Sequence, residues 1–414
     1  MSGFRSVEEH RADVLAACRP VGTERVAIDA AHGRTLRADI RAAVDIPVFD
    51  NSAMDGFAVR FADVASASEA QPVTLRVIAD LPAGTDLDPE LAPGEAARIM
   101  TGAPVPASAD AIVPFEDTVD GLADSLTSTT VVTAPARPGV HIRRAAEDLC
   151  AGNTVLEAGR VLTAFACAGA AAAGVDAVDV SRRPRVAVVS TGSELVPPGG
   201  PLRRGQIPES NSVLLAAMAT DAGADVVARL SVDDEGPSLH SALAEIIDDA
   251  DVVVFSGGVS AGAYEVVRNE LAATMAFHRV TMQPGKPQGF GVASTGALLF
   301  GLPGNPVSAA VSFEVFVRPA LLALQGRTLL DRPTLRLPAD TGWRSPARRR
   351  QYVPAVIVPR ADGLSVRPAT SGGSGSHLAG GLGRAHAFAI VPEDVTAVDA
   401  DDVLTVMLLE GWAA

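Results

Sequence analysis

The sequence predicts an α/β multidomain protein in which a central parallel α/β sheet domain follows a β-rich N-terminal lobe and precedes a small C-terminal β domain. Three observations carry that prediction. From Arg185 onward, Val-rich runs alternate with helical stretches, the grammar of a parallel sheet covered on both faces. Between Val26 and Ala145, and again beyond Pro333, the runs are short, β-rich and punctuated by Pro and Gly. The chain of 414 residues leaves room for two to four cores at about 150 residues each.

Taken in order, residues 4–18 set Val7, Val14 and Leu15 among charges and predict an amphipathic opening helix. Short strands are expected at 73–78 and 111–113. Residues 162–173 are Ala-rich and helical, with Gly174 as a stop. The central domain then predicts strands at 186–189, 226–230, 252–255, 277–282 and 298–300, and helices at 213–222, 239–247, 264–273 and 307–324. Strands at 335–337, 353–358 and 403–408 complete the chain.

Composition removes several classes. Forty-nine acidic against 34 basic residues give a net charge of −15, which opposes non-specific capture by nucleic acid or anionic membrane. Cys18, Cys150 and Cys167 form no C-x-x-C pair, so no disulfide framework or structural zinc is signalled and a reducing cytoplasm fits. The opening residues are charged where a signal peptide is apolar. The small-apolar run 164–175 falls well short of the roughly 20 residues a membrane span needs. Lys286 is the sole lysine among those basic residues; every other one is Arg.

Ligands of open α/β sheets bind at the carboxyl ends of the strands. Four loops there are rich in Gly and small polar residues: Thr191 and Gly192 with Glu194; Gly257, Gly258 and Ser260; Gly285 and Lys286; and Pro303, Gly304, Asn305 and Pro306. Glycine lets backbone N–H groups approach an anion, and Asn305 as cap with Pro306 at the first helical position would open a helix whose N-terminus favours negative charge. The pattern points to a phosphate-bearing ligand. Neither a dinucleotide fingerprint nor a P-loop is present, since Gly285-Lys286 is followed by Pro287. A compact ammonium meets an oxyanion where a planar guanidinium would not fit.

Residues 47–57 gather Asp50, Asn51, Ser52 and Asp55, either hard-oxygen ligands suited to Mg2+ or an Asx-rich turn. Asp148, Glu194, Asp233, Asp234 and Glu265 fall near expected loop ends. The histidines, including His240, His278, His377 and His386, show no metal or triad spacing.

Six blocks in order then carry a resemblance: Phe49-Asp-Asn-Ser-Ala-Met-Asp-Gly-Phe57, Arg98-Ile-Met-Thr-Gly-Ala-Pro-Val-Pro106, Ser190-Thr-Gly-Ser-Glu-Leu195, Ser256-Gly-Gly-Val-Ser260, Pro284-Gly-Lys-Pro287 and Gly301-Leu-Pro-Gly-Asn-Pro-Val-Ser-Ala309. Together they resemble the molybdopterin molybdenumtransferases, the MoeA family, related to the E domain of gephyrin. The resemblance implies a discontinuous N-terminal part (1–46 and 143–181), an inserted β-rich lobe (47–142), a MogA-like molybdopterin-binding α/β domain (182–326) and a C-terminal β domain (327–414). It further implies a cytoplasmic homodimer with a cleft between the sheet domain of one chain and the lobe of the other. The implied reaction uses adenylylated molybdopterin, molybdate and Mg2+ or another divalent cation, and gives molybdenum cofactor and AMP. Contact with other cofactor-biosynthesis proteins is a further implied partner.

By motif, Asp55, Asp148 and Lys286 resemble catalytic positions, and Glu194, Asp233 and Glu265 the metal-side acids. Thr101, Thr191, Gly192, Gly257, Gly258, Ser260, Arg279, Gly285, Pro303, Gly304, Asn305 and Pro306 resemble substrate contacts. The chain departs from the family pattern at Glu265 (usually Asp), Ala263 (often acidic), Gln283 (often Lys) and Arg279 (often Lys). Two alternatives stay open: a gephyrin-like scaffold with weak catalysis, and a molybdopterin adenylyltransferase.

Overall fold

The computed structural model describes residues 4–119, 121, 126–260, 265–370, 375 and 378–409. The expected features at Ala263, Tyr264 and His377 lie outside these. The central unit is a seven-stranded sheet in the order Phe4–Arg5, Met275–Val280, Pro287–Val292, Leu298–Leu302, Val252–Ser256, Arg185–Thr191, Asp225–Val232. Four strands, from Leu298–Leu302 to Asp225–Val232, run parallel, as the Val-rich runs predicted.

The sheet is mixed at this point: Pro287–Val292 runs antiparallel to both neighbours. The sequence reading missed this strand. It has three residues of the pattern Gly-Phe-Gly and follows its neighbour across a short connection; Leu298–Leu302 follows it after five residues, and a link that short can only join antiparallel strands. The reversal delivers the start of Pro287–Val292 to the edge where the parallel strands end.

Two cores sandwich the sheet. On one face Val186, Val188, Val252, Val254 and Phe300 pack with Leu215, Phe313 and Phe316; on the other, Val189, Val253 and Phe255 pack with Leu239, Val266 and Val267. The alternation of successive Val residues between faces follows the strand period of two. The long helix over 306–324 occurs as two α segments, Pro306–Ser312 and Arg318–Leu324, around a π turn at Phe313–Val317. It is apolar and long enough to cross a bilayer by composition, but 89% of its most apolar window is buried in this core.

The opening helix, Val7–Ala17, starts on a capping box formed by Ser6 and Glu9 and seats Val7 and Val14 in the same core. The lobe is a five-stranded sheet, ordered Ala111–Pro114, Gly56–Val59, Glu95–Ile99, Val73–Leu81, Ser128–Val131, with cores around Phe57 and Leu81. Thr23–Ala27 pairs with Ala177–Ser181 and Ile40–Arg41 with Thr154–Leu156, so residues on either side of the lobe share one core around Leu36 and Leu162. Near the other end, Arg350–Arg360 centres a C-terminal β-sheet and also pairs with Met282–Gln283.

Candidate functional site

A cavity of about 620 Å³ opens at the carboxyl edge of the parallel strands. Each of the four glycine-rich loops reaches it. Thr191, Gly192 and Glu194 line it after Arg185–Thr191; Gly257, Gly258 and Ser260, with Glu265 beyond, line it after Val252–Ser256. Pro303, Gly304, Asn305 and Pro306 follow Leu298–Leu302, and Gly285 and Lys286 precede the reversed strand.

Local geometry explains the small residues. A Cβ on Gly257 would stand 2.7 Å from the Thr191 carbonyl oxygen, and its φ of +95° is itself unfavourable for other residues. A Cβ on Gly192 would meet Glu194 Oε2 at 2.6 Å, so the carboxylate can fold back against the loop only because nothing projects there. Pro306 takes the first helical position as expected. Asn305 occupies the cap position, but its side chain makes no capping hydrogen bond: the exposed start of the helix keeps its backbone donors for other partners.

Carboxylates face these donors. Glu194, Asp234 and Glu265 line the cavity; Glu265 Oε2 accepts from the Ser260 amide at 2.7 Å, and Asp234 Oδ2 from the Ser193 amide at 3.0 Å. Asp233 does not line the cavity. Its Oδ1 accepts from the Glu235 amide at 3.2 Å, so at this pair of adjacent acids the side chain facing the cavity belongs to Asp234. Arg279 also lies outside the lining, exposed on Met275–Val280 opposite Phe4.

Sequence reasoning missed two lining residues, Glu209 and Asn211. Glu209 is buried; its oxygens accept from Ser190 Oγ at 2.9 Å, the Ser212 amide at 2.8 Å and Ser212 Oγ at 2.6 Å. Asn211 Nδ2 donates to Ser256 Oγ at 2.7 Å and to the Gly304 carbonyl at 2.6 Å, tying two of the glycine loops together. Their signal was a polar run at a helix start, Glu209-Ser-Asn-Ser212, which reads as ordinary capping when the loops it touches are distant in sequence.

Asp55, Thr101 and Asp148 do not line this cavity. Asp55 is exposed on the lobe, where Oδ1 accepts from both the amide and the hydroxyl of Thr101, each at 2.7 Å. Those two bonds, the amide's first, hold the carboxyl below the usual carboxylate range. Around it the Asx-turn alternative describes the other polar residues: Asp50 accepts from the Ala145 amide and pairs with Arg144, Asn51 donates to the Phe49 carbonyl, and Ser52 bonds Met54. Asp148 is exposed.

No group of three or more His, Cys, Asp or Glu poised to hold a metal occurs among the described residues. Mg2+ is commonly held by one or two carboxylates with substrate phosphates and water; Glu194, Asp234 and Glu265 each bring hard oxygens to the cavity, without forming a cluster of three.

The chain resembles known proteins along its whole length. The MoeA N-terminal region (domain I and II) matches residues 5–174, a probable molybdopterin-binding domain matches 187–323, and the MoeA C-terminal region (domain IV) matches 336–409. Molybdopterin molybdenumtransferase 2 of Mycobacterium tuberculosis is 44% identical, over 97% of this chain and 99% of that protein. Molybdopterin molybdenumtransferase of Nostoc is 36% identical over 93% and 89%. The crystal structure of the molybdopterin biosynthesis MoeA protein from Pyrococcus horikoshii superposes with a TM-score of 0.81 at 32% identity, covering 99% of this chain and all of that one. With the four-loop cavity and a full-length match in both sequence and fold, the chain belongs to the MoeA family.

Proposed function

We propose that the protein inserts molybdate into adenylylated molybdopterin, forming molybdenum cofactor and releasing AMP. The observation that supports this best is the cavity, which is lined by glycine-rich backbone, a helix start, the only lysine and the acids Glu194, Glu209, Asp234 and Glu265. Lys286 and the helix start at Pro306 would hold the oxyanion, and Gly257, Gly258 and Gly304 would let phosphate oxygens approach the backbone. One or two of Glu194, Asp234 and Glu265, with substrate phosphate and water, would hold a divalent cation. When bound, that cation would neutralise charge on the phosphoanhydride.

In this reading Asp55 and Asp148 reach the cavity from a second copy of the chain, across a homodimer cleft. The supporting observation is that Asp55 keeps one oxygen anchored by Thr101 while Oδ2 has no partner among the described residues. Held ionised, it suits a base or a cation ligand, not an acid. A cytoplasmic setting agrees with the chemistry of the substrates.

The test is AMP release from adenylylated molybdopterin with and without molybdate. Release that depends on molybdate is expected. Formation of the adenylate from ATP would instead support the adenylyltransferase alternative, and inertness with tight peptide binding the scaffold.

A further inference from the structure

We propose that Phe4 is a positioning residue for Lys286, and that the N-terminal strand is thereby part of the oxyanion site. The proposal rests on the functional reading above, because it assigns Lys286 to the oxyanion. Lys286 Nζ lies 5.4 Å from the centroid of the Phe4 ring, within the distance at which an ammonium is attracted to the negative face of an aromatic ring. The ring is 58% exposed.

The backbone places it there by design of the sheet. Phe4–Arg5 forms the edge of the sheet, parallel to Met275–Val280, with Phe4 opposite Arg279. The Arg5 carbonyl accepts from the Thr281 amide and the Lys286 carbonyl from the Val280 amide, both at 2.8 Å. Lys286 and Arg5, the residue next to Phe4, are therefore fixed by bonds to adjacent residues, 280 and 281, although 281 positions separate them in sequence. A lysine has a long flexible stem and loses much rotamer freedom on ordering; a ring at its tip narrows the search before the oxyanion arrives. No other role for Phe4 is needed, since the strand pairing uses backbone only.

A single lysine makes the idea directly measurable. In protein labelled with 13C-lysine, one Cε–Hε resonance reports Lys286. Ring current from Phe4 is expected to shift it upfield of free lysine; Phe4→Leu should return it, and Phe4→Tyr should retain the shift. In the AMP-release assay, Phe4→Leu should raise the KM for molybdate about two- to fivefold with kcat little changed, the size expected of an exposed cation–π contact, and Phe4→Tyr should restore it. An identical resonance in wild type and Phe4→Leu overturns the proposal, as does a moved resonance with unchanged KM, or a Phe4→Tyr variant that behaves like Leu. A wild-type chain that releases no AMP fails the functional reading separately; molybdate alone titrated against the lysine resonance then decides, weaker binding by Phe4→Leu supporting the positioning role and equal binding overturning it.

Discussion

The cavity on the α/β unit and the Asp55 surface on the lobe are built by opposite means. The cavity is built from four glycine-rich loops, with buried polar side chains bonded among them, Glu209 to Ser190 and Ser212 and Asn211 to Ser256 and the Gly304 carbonyl. On the lobe, the exposed Asp55 carboxylate is held by a single neighbour, Thr101. In the proposed reading the cavity receives a large anionic ligand, whereas the lobe supplies the Asp55 carboxylate. A functional site joining them needs a second surface.

The sharpest way to break that contrast is to disable each half separately. Asp55→Asn should lower molybdate-dependent AMP release by roughly 10²-fold, as for loss of a positioned base or cation ligand, with the fold intact by circular dichroism. Lys286→Met should be comparably inactive. Refolded together, the two variants should regain about a quarter of wild-type activity, because half the randomly formed dimers carry one intact composite site. No recovery would mean that the two halves do not meet across a dimer.

Next in size, Gly257→Ala should raise the KM for adenylylated molybdopterin by about tenfold, since its Cβ would collide with the Thr191 carbonyl and its φ is unfavourable. Asp55 chemistry on the lobe should be untouched, visible as an unchanged pH dependence of kcat. Glu209→Gln sharpens the same point through stability: the amide turns a donor toward Ser212 donors, costing about 1–3 kcal/mol and lowering the melting temperature by several degrees, while the lobe's own core is unaffected in hydrogen exchange.

The smallest effect at neutral pH concerns the opening helix packed in the core of the α/β unit. His10 is buried against the Phe316 ring at 4.7 Å, with His278 at 6.0 Å and Arg5 nearby. Burial, with help from those cations, lowers its pKa from 6.5 to about 4. The neutral form is the folded one, so its stability contribution is complete above pH 6.5 and is lost as pH falls toward 4, to the extent of about 3 kcal/mol. His10→Leu should flatten the decline of melting temperature over that interval; an unchanged slope would remove His10 as its source.

Much of this architecture is written in local pattern. Alternating Val runs, the Ser6 capping box, and the Gly and Pro loops at 191–192, 257–260, 284–287 and 303–306 follow from steric and hydrogen-bonding rules that act over a few residues, and six motif blocks pointed to the family. Residue-level choice between neighbours was less accessible: Asp233 and Asp234 are equivalent acids in sequence, and only the direction of one peptide step separates them. Glu209 and Asn211 looked like caps because the loops they hold are 19 to 93 positions away.

What the sequence alone determined, then, was that anion-suited loops and hard-oxygen acids are present and that a sheet presents them. What the tertiary structure decided was the company they keep. The reversed strand Pro287–Val292 carries Lys286 to the edge where the parallel strands end, and the strand Phe4–Arg5 brings an aromatic ring to that lysine. Strand direction and edge pairing are set by which distant surfaces bury one another, and no short window of sequence contains both partners of such a pairing.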